Sequence, residues 1–495
     1  MNPLKKLAGQ TAIYGLPTIL GRLLNYLLVP LYTRIFVPAE YGIVTELYAY
    51  VAFLFIILTY GMETAYFRFA GQAEFRNKIL GTSLLSLTVT SFLFLIVVFA
   101  AAPFLSTHLG YTGNPEYVKW FALILATDAI TTIPYANLRL ENRPVRFAFV
   151  KVSNIVVNIG FNLFFILLCP YILSIYPDSA ASGLIGHIYN PEIGVGYIFI
   201  SNLIASLLTF IMLIPEIPFK NLSVDRNLLK LMLRYSWPLL IFGLAGIVNE
   251  TFDRVILKHL LPENGAMAQL GIYGACYKIS ILMTLFIQTY RYAAEPFFFD
   301  QARNNNAKET YAAMMHYFLI ICLFIFLGIV LYLDVVMLFV GKDFREGAGV
   351  VPVLLAANLF LGVFYNLSVW FKLTDRTKTG AAISLAGAAI TIALNFIMIP
   401  VMGYMGAAWA TLICYASMMV ISYLLGQKYF PVQYNLKCAF KYSFITLIIY
   451  LLSIIQLTET AWLKYLINTG MLFAFATYVI YSERQRFRLI INKSY

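Results

Sequence analysis

The sequence predicts an all-α polytopic membrane protein with about fourteen transmembrane helices, arranged as two parallel six-helix repeats plus two C-terminal helices. Three observations carry that expectation. First, the 495 residues are 61% hydrophobic and only 12% charged, against about 45–50% and about 25% in a soluble globular chain. Too little polar surface remains to cover a water-soluble body. Second, apolar runs of about 20 residues, the length a bilayer requires, recur between polar turns. They lie near residues 12–36, 41–66, 80–105, 116–138, 147–170, 193–215, 236–260, 269–292, 310–333, 350–371, 381–401, 406–426, 440–456 and 461–481. Third, the basic residues sort to one side of the resulting topology.

That sorting explains the net charge of +12. The N-terminus, the loops near 68–79, 139–151, 216–234, 291–309, 372–380 and 427–441, and the C-terminal tail hold 26 of the 35 Lys and Arg. The opposite face holds five: Lys119, Lys258, Lys342, Arg345 and Lys464. The positive-inside rule makes the first face cytoplasmic, with both termini inside. The basic excess suits anionic lipid headgroups, and nucleic acid is not an expected partner. The longest outer loop, 171–192, contains no Lys or Arg. Lys5 and Lys6 precede the first span, but Arg22 interrupts it and no small-residue cleavage site follows, so a removable signal peptide is not expected.

No catalytic constellation is visible. Cys169, Cys276, Cys322, Cys414 and Cys438 show no C-x-x-C spacing, which predicts small packing residues without a disulfide framework or a metal site. The four histidines are scattered, and the Gly194-Val195-Gly196 and Gly341-Lys342 fragments lack the rest of a dinucleotide or phosphate-loop motif.

The chain carries signs of duplication. Residues 21–38 lie on 245–262 without a gap, so that Asn25 meets Asn249, Arg34 meets Lys258 and Pro38 meets Pro262. After a small insertion, Glu40-Tyr41-Gly42-Ile43 faces Leu270-Gly271-Ile272, and Pro17 and Pro238 stand at similar depth. Six spans separate the copies, so the repeats run parallel, a plan that transporters use with a midplane site between the halves. The expected division is an N-terminal six-helix half (1–215), a cytoplasmic linker (216–234), a C-terminal six-helix half (235–426), and two extra helices with a basic tail (427–495).

The pattern Gly21-Arg22, Asn25, Pro30-Leu31-Tyr32-Thr33-Arg34 and Pro38-Ala39-Glu40-Tyr41-Gly42 resembles the opening of bacterial oligosaccharide flippases. These form the polysaccharide-transport branch of the multidrug/oligosaccharidyl-lipid/polysaccharide exporter superfamily, which includes O-antigen and lipid II flippases. Arg234-Tyr235-Ser236-Trp237-Pro238 is similar to the start of that family's second half. The resemblance implies transfer of an undecaprenyl-diphosphate-linked saccharide from the inner to the outer leaflet of the bacterial cytoplasmic membrane. It also implies that basic residues of the first and eighth spans line the cavity, and that the last two helices border a groove for the polyprenyl tail. Other polysaccharide-assembly proteins are further expected partners.

Candidate site residues follow from the cost of charge in hydrocarbon, where ionisable groups face a cavity or each other. At about 1.5 Å per residue, Arg22 and Asp128 sit near the midplane. Glu250 and Arg254 share a face of the seventh span with Asp253 adjacent, and Lys278 lies about nine residues into the eighth. One reading is a cationic site for a diphosphate, because Arg matches phosphate with a planar fork and Lys supplies a movable charge. The other is that Arg22–Asp128 and Glu250–Arg254 are buried pairs fixing the fold. Arg34, at the outer end of the first span, either joins the site or snorkels. Asn154, Asn158 and Asn162 form one polar stripe, suited to sugar hydroxyls or to interhelical hydrogen bonds. Glu63 with Arg68, and Arg291 with Glu295, read as cytoplasmic-gate pairs or as structural ones.

The function expected is an alternating-access flippase without a bound cofactor, coupled to a proton or sodium gradient through Asp128, Glu250 or Asp253. A lipid II flippase and a multidrug exporter of the same superfamily are the alternatives. A membrane polymerase or ligase fits less well, because no outer loop exceeds about 24 residues and no paired catalytic groups stand at the interface.

Overall fold

Proline and short polar side chains decide where the helices start. Pro38, Pro115 and Pro144 each stand in the first turn of a helix, where a missing N–H costs nothing and the fixed φ is already helical. Glu40 accepts the Val37 amide at 3.1 Å, Asp225 accepts those of Asn227 and Leu228 at 3.0 and 3.1 Å, and Asn435 accepts that of Cys438 at 3.1 Å. Each satisfies a donor that a helix start leaves open.

The computed structural model describes residues 21, 23–72, 74–75, 78–111, 113–217, 222–302, 306–455 and 460–493. Among these there are helices and turns and no strand. The principal helices are α1 (Val29–Ile35), α2 (Pro38–Thr59), α3 (Met62–Ala70), α4 (Ile79–His108), α5 (Pro115–Leu140), α6 (Pro144–Leu163), α7 (Gly196–Leu213), α8 (Arg226–Leu260), α9 (Glu263–Gln301), α10 (Ala307–Val330), α11 (Val350–Leu367), α12 (Thr377–Met402), α13 (Tyr404–Tyr429), α14 (Leu436–Ile454) and α15 (Ala461–Lys493). Thirteen helical stretches of the described residues are long and apolar enough to cross a membrane, and they coincide with the second to fourteenth expected spans. The first span lies partly outside the described residues, and α1 is its end. The chain is an all-α polytopic membrane protein.

Several boundaries differ from expectation. The linker expected over 216–234 is shorter, because Asp225 caps α8 and the helix begins at Arg226. The loop expected at 291–309 is helical up to Gln301. The loop 171–192, expected on the outside, contains a helix, Ala180–Ile188, started by the Ser179 hydroxyl on the Ser182 amide. In all three cases a polar cap or a charged helical turn extends order past the apolar run, which hydropathy alone does not register.

Breaks have local causes. Tyr60 and Gly61 take left-handed φ values of 34° and 71° and separate α2 from α3. The fifth span continues past α6 through a π-helical turn, Phe164–Leu168. There the Cys169 amide reaches back to the Phe164 carbonyl, just before Pro170, whose ring nitrogen has no hydrogen to donate.

The chain forms two compact units. The first holds residues up to Gly274 together with Ala388–Gly403. Its buried centre is α5, whose small face (Ala122, Ala126, Ala129, Ala136) admits close neighbours. Met62, Tyr66, Phe69, Leu84, Leu87, Ile133, Leu228 and Met232 knit α3, α4, α5 and α8 together. On α4 the opposite face is bare: Val89, Phe92, Leu93, Ile96 and Val97 are each more than half exposed. An apolar stripe of that extent suits contact with lipid. The second unit holds Ala275–Gly387 and Tyr404–Tyr495. In it Gly362 lets α11 approach Phe318 of α10, and Trp370 donates to Ser422 of α13 at 3.3 Å.

The cap at Asp225 yields a pH prediction. Amide donation from Leu228, followed by the hydrogen bond from Lys78, holds its carboxyl below the usual aspartate range. A group with a depressed folded pKa contributes stability above its unfolded value, about 3.9, and loses it as pH falls through the folded pKa. Protection of the Asn227 and Leu228 amides, their exchange relative to the intrinsic rate at each pH, is therefore expected to fall on acidification below about pH 4. The Asp225→Ala variant should show the lower protection already at neutral pH, and protection in the parent that does not change with pH would refute the capping role.

Candidate functional site

In the first unit, the intramembrane polar groups gather on α5, α6, α7 and α8. Arg22 lies outside the described residues. Asp128 of α5 is within hydrogen-bonding reach of Ser206 on α7, and the Lys151 ammonium of α6 is close enough to act on it electrostatically. Lys151 itself sits 4.0 Å over the Tyr135 ring. The sequence counted Lys151 as a loop residue. It stands two turns into α6 instead, because Pro144 starts that helix early.

The asparagine stripe is engaged inside the protein. Asn154 donates to Thr209 at 2.9 Å and Asn158 to Asn25 at 3.1 Å. Asn162 is fully buried, accepts the Tyr32 hydroxyl at 2.8 Å and donates to the Asn158 carbonyl at 2.7 Å. Amides in apolar surroundings need such partners. A matching arrangement occurs on the C-terminal part of α12, where Asn249 of α8 accepts the Thr391 hydroxyl at 3.1 Å and buried Asn395 stands one turn beyond. Asn25 and Asn249 are the pair that the expected duplication aligns, and each accepts a hydrogen bond from a side chain of another helix.

On α8, Asp253 and Arg254 are buried and Glu250 is exposed. The Arg254 guanidinium donates to the Glu250 backbone carbonyl at 3.1 Å. Asp253 accepts the Arg254 amide at 2.8 Å and the hydroxyl of buried Tyr273. Arg34 is exposed at the end of α1 and folds back on the Pro30 carbonyl at 3.2 Å. Lys278 belongs to the second unit, half-buried on α9.

The pairs expected at the cytoplasmic end need one correction. Glu63 pairs with Arg139 of α5, not with Arg68, and Arg68 stacks over the Tyr235 ring at 4.4 Å. Residues five apart on a helix point about 140° away from each other, so Glu63 and Arg68 face different neighbours. Arg291 and Glu295 do pair, at 3.5 Å, and Lys372 joins them through a hydrogen bond to Glu295. Burial pushes the Glu295 carboxyl up, and the Lys372 hydrogen bond with the two positive charges outweighs it, leaving the group below the usual range.

Two buried clusters went unnoticed in the sequence. In the first unit, Glu46 of α2 is fully buried and pairs with Lys258 of α8 at 3.1 Å. In the second, Glu483 of α15 accepts the Tyr442 hydroxyl of α14 at 2.6 Å and faces His316 Nε2 of α10 at 3.0 Å, tying the last two helices to the rest of that unit. An acid inside an apolar run was the available signal for Glu46. Its partner, 212 residues away, was not. All five cysteines are free, and no group of metal-ligating side chains occurs among the described residues.

Comparison with known proteins places this geometry. The fold is similar to that of the lipid II flippase MurJ in an inward closed conformation, with a TM-score of 0.66, 15% identity, and coverage of 95% of this chain and 99% of that one. It is also similar to the inward-facing conformation of a multidrug resistance MATE family transporter of the MOP superfamily, with a TM-score of 0.60, 16% identity, and coverage of 86% and 94%. The outward-facing conformation of such a transporter gives 0.57, 16%, 85% and 94%. No curated protein matches the sequence. Residues 7–302 match the sequence profile of the polysaccharide biosynthesis protein family. That is more than half of the chain, and the protein belongs to this family.

Proposed function

We propose that the protein is a flippase of the bacterial cytoplasmic membrane. It carries an undecaprenyl-diphosphate-linked oligosaccharide from the inner to the outer leaflet, for O-antigen, capsule or exopolysaccharide assembly. The observation that carries this reading is the family match over residues 7–302. The similarity of fold to a lipid II flippase and to drug transporters supports alternating access between two halves. Arg22 and Arg254 in the first unit, and Lys278 in the second, are each candidate cations for the diphosphate, with Arg34 at the outer end of the path, while Asn154 and Asn158 retain lone pairs for sugar hydroxyls. Asp128, with Lys151 nearby, and Asp253, hydrogen-bonded to Tyr273, are the carboxylates for coupling to a proton or sodium gradient, together with exposed Glu250. Glu63–Arg139 in the first unit and the Arg291–Glu295–Lys372 group in the second are each gate candidates of the cytoplasmic side.

Deleting the gene and identifying the lipid-linked saccharide that accumulates tests this directly. An accumulated polyprenyl-diphosphate oligosaccharide bearing the surface repeat unit supports the proposal. Accumulation of the peptidoglycan precursor identifies a lipid II flippase instead, and drug hypersensitivity without accumulation identifies an exporter.

Topology supplies an independent check. The charge split puts both termini inside and the Ala180–Ile188 helix outside. With Cys438 replaced by serine, a His187→Cys variant should react with an impermeant maleimide in intact spheroplasts, and an Asn306→Cys variant only after permeabilisation. The reverse pattern would invert the assignment.

A further inference from the structure

Within the first unit, a buried ion pair joins the two sequence repeats at the end that the charge bias assigns to the outside. Glu46 of α2 receives Lys258 of α8 on both carboxylate oxygens, at 3.3 and 3.1 Å, and the Tyr111 hydroxyl on one of them. Lys258 also donates to the Leu109 carbonyl. That carbonyl is presented by a turn in which Gly110 adopts φ +76°, a conformation that costs glycine little. The ammonium lies 4.8 Å over the Tyr111 ring. One turn along α2, Tyr50 meets His259, the residue after Lys258, at 3.2 Å.

Beside the pair, α2 and the start of α9 cross at backbone distance. A Cβ on Gly42 would strike the carbonyl of Met267, four residues before Gly271. A Cβ on Gly271 would strike the carbonyl of Pro38, four residues before Gly42. Gly42 and Gly271 are the residues that the duplication aligns, so the contact is reciprocal, as an isologous interface about a two-fold axis must be. Gly274 leaves room for the Thr45 side chain beside the crossing. A crossing of small residues brings two backbones together without interlocking side chains, and it can part without any side chain changing rotamer.

A buried salt bridge is weak evidence for stability, since an apolar pair of similar volume often holds a fold as well or better. A charged pair differs in what it becomes after separation, when both groups are hydrated, whereas an apolar pair resists exposure to water. We infer that Glu46 and Lys258 form a reversible latch, which keeps the outer side of the carrier closed along the glycine seam and is hydrated when that side opens. The inference rests on the alternating-access reading, and the labelling part of its test reads accessibility without any substrate.

The probe is a Thr45→Cys substitution in the Cys438→Ser background, labelled with a membrane-impermeant maleimide in right-side-out and inside-out vesicles. With the latch intact, labelling should be slow. Glu46→Gln and Lys258→Met should each accelerate it about tenfold or more from the outer side, because the closed state loses its ion pair. The double variant Glu46→Met/Lys258→Met, which leaves no unpaired charge, should be folded, label as slowly as the parent, and fail to support saccharide display in a deletion strain. Unchanged labelling in both single variants overturns the latch, as does a double variant that labels slowly and still supports display. Acceleration confined to the opposite membrane side retains the latch and reverses the topology. Acceleration in a protein whose deletion accumulates no saccharide retains it and removes the flippase reading.

Discussion

Replacing Lys278 or Arg22 with alanine is expected to abolish saccharide export while folded protein persists in the membrane. A diphosphate entering a low-dielectric cavity leaves a hydration shell that only cations replace well. Each charge-assisted hydrogen bond to it contributes about 1.5–3 kcal/mol, so one lost cation lowers affinity by roughly ten- to a hundredfold. Lys278 stands half-buried inside the Glu263–Tyr292 span, where an ammonium without a functional or structural use is rarely kept. Arg22→Lys should recover part of the activity, because it restores the charge and not the planar fork. Arg254→Ala should lower the amount of folded protein as well, since that guanidinium is buried and bonded to the Glu250 carbonyl. The readouts are surface saccharide display and protein abundance in isolated membranes. Wild-type display in both the Arg22→Ala and Lys278→Ala variants would remove the anion site and assign those charges to packing.

The spans were legible in the sequence because a bilayer imposes length and apolarity on each helix separately, and both are local properties. The ends were less so. Asp225 and Ser179 start helices in polar sequence that hydropathy reads as loop. The π-helical turn before Pro170 needed backbone geometry to be seen. Polar partners were the least legible part. Glu63 beside Arg68 invited a local pair, yet helical phase sends the acid to Arg139 and the arginine to Tyr235. Glu46 and Lys258 belong to different repeats, and nothing local links them. The Gly42–Gly271 reciprocity was half visible, since the duplication aligned the two residues without showing that they touch each other's helix.

That reciprocity makes Gly271 the position where a single methyl group should do the most damage. Alanine is ordinarily favoured over glycine inside a helix by about 0.5–1 kcal/mol. At Gly271, however, the new Cβ meets the Pro38 carbonyl and the Gly42 amide, both backbone groups that no rotamer change can move aside. Overpacking commonly costs about 1–3 kcal/mol, and a clash with the backbone of a neighbouring helical turn belongs at the upper end. Gly271→Ala should therefore lower the thermal midpoint of the detergent-purified protein by several degrees, and Gly42→Ala, which meets the Met267 carbonyl, should do nearly the same. Gly160 on α6 has nothing within 4 Å of the place a methyl group would take, so Gly160→Ala should be neutral or slightly stabilising. The two seam substitutions should combine to less than their sum, because once one methyl has spread the helices the second finds room. Additive losses would mean that the two glycines report on separate contacts, and that α2 and α9 do not share one symmetric seam.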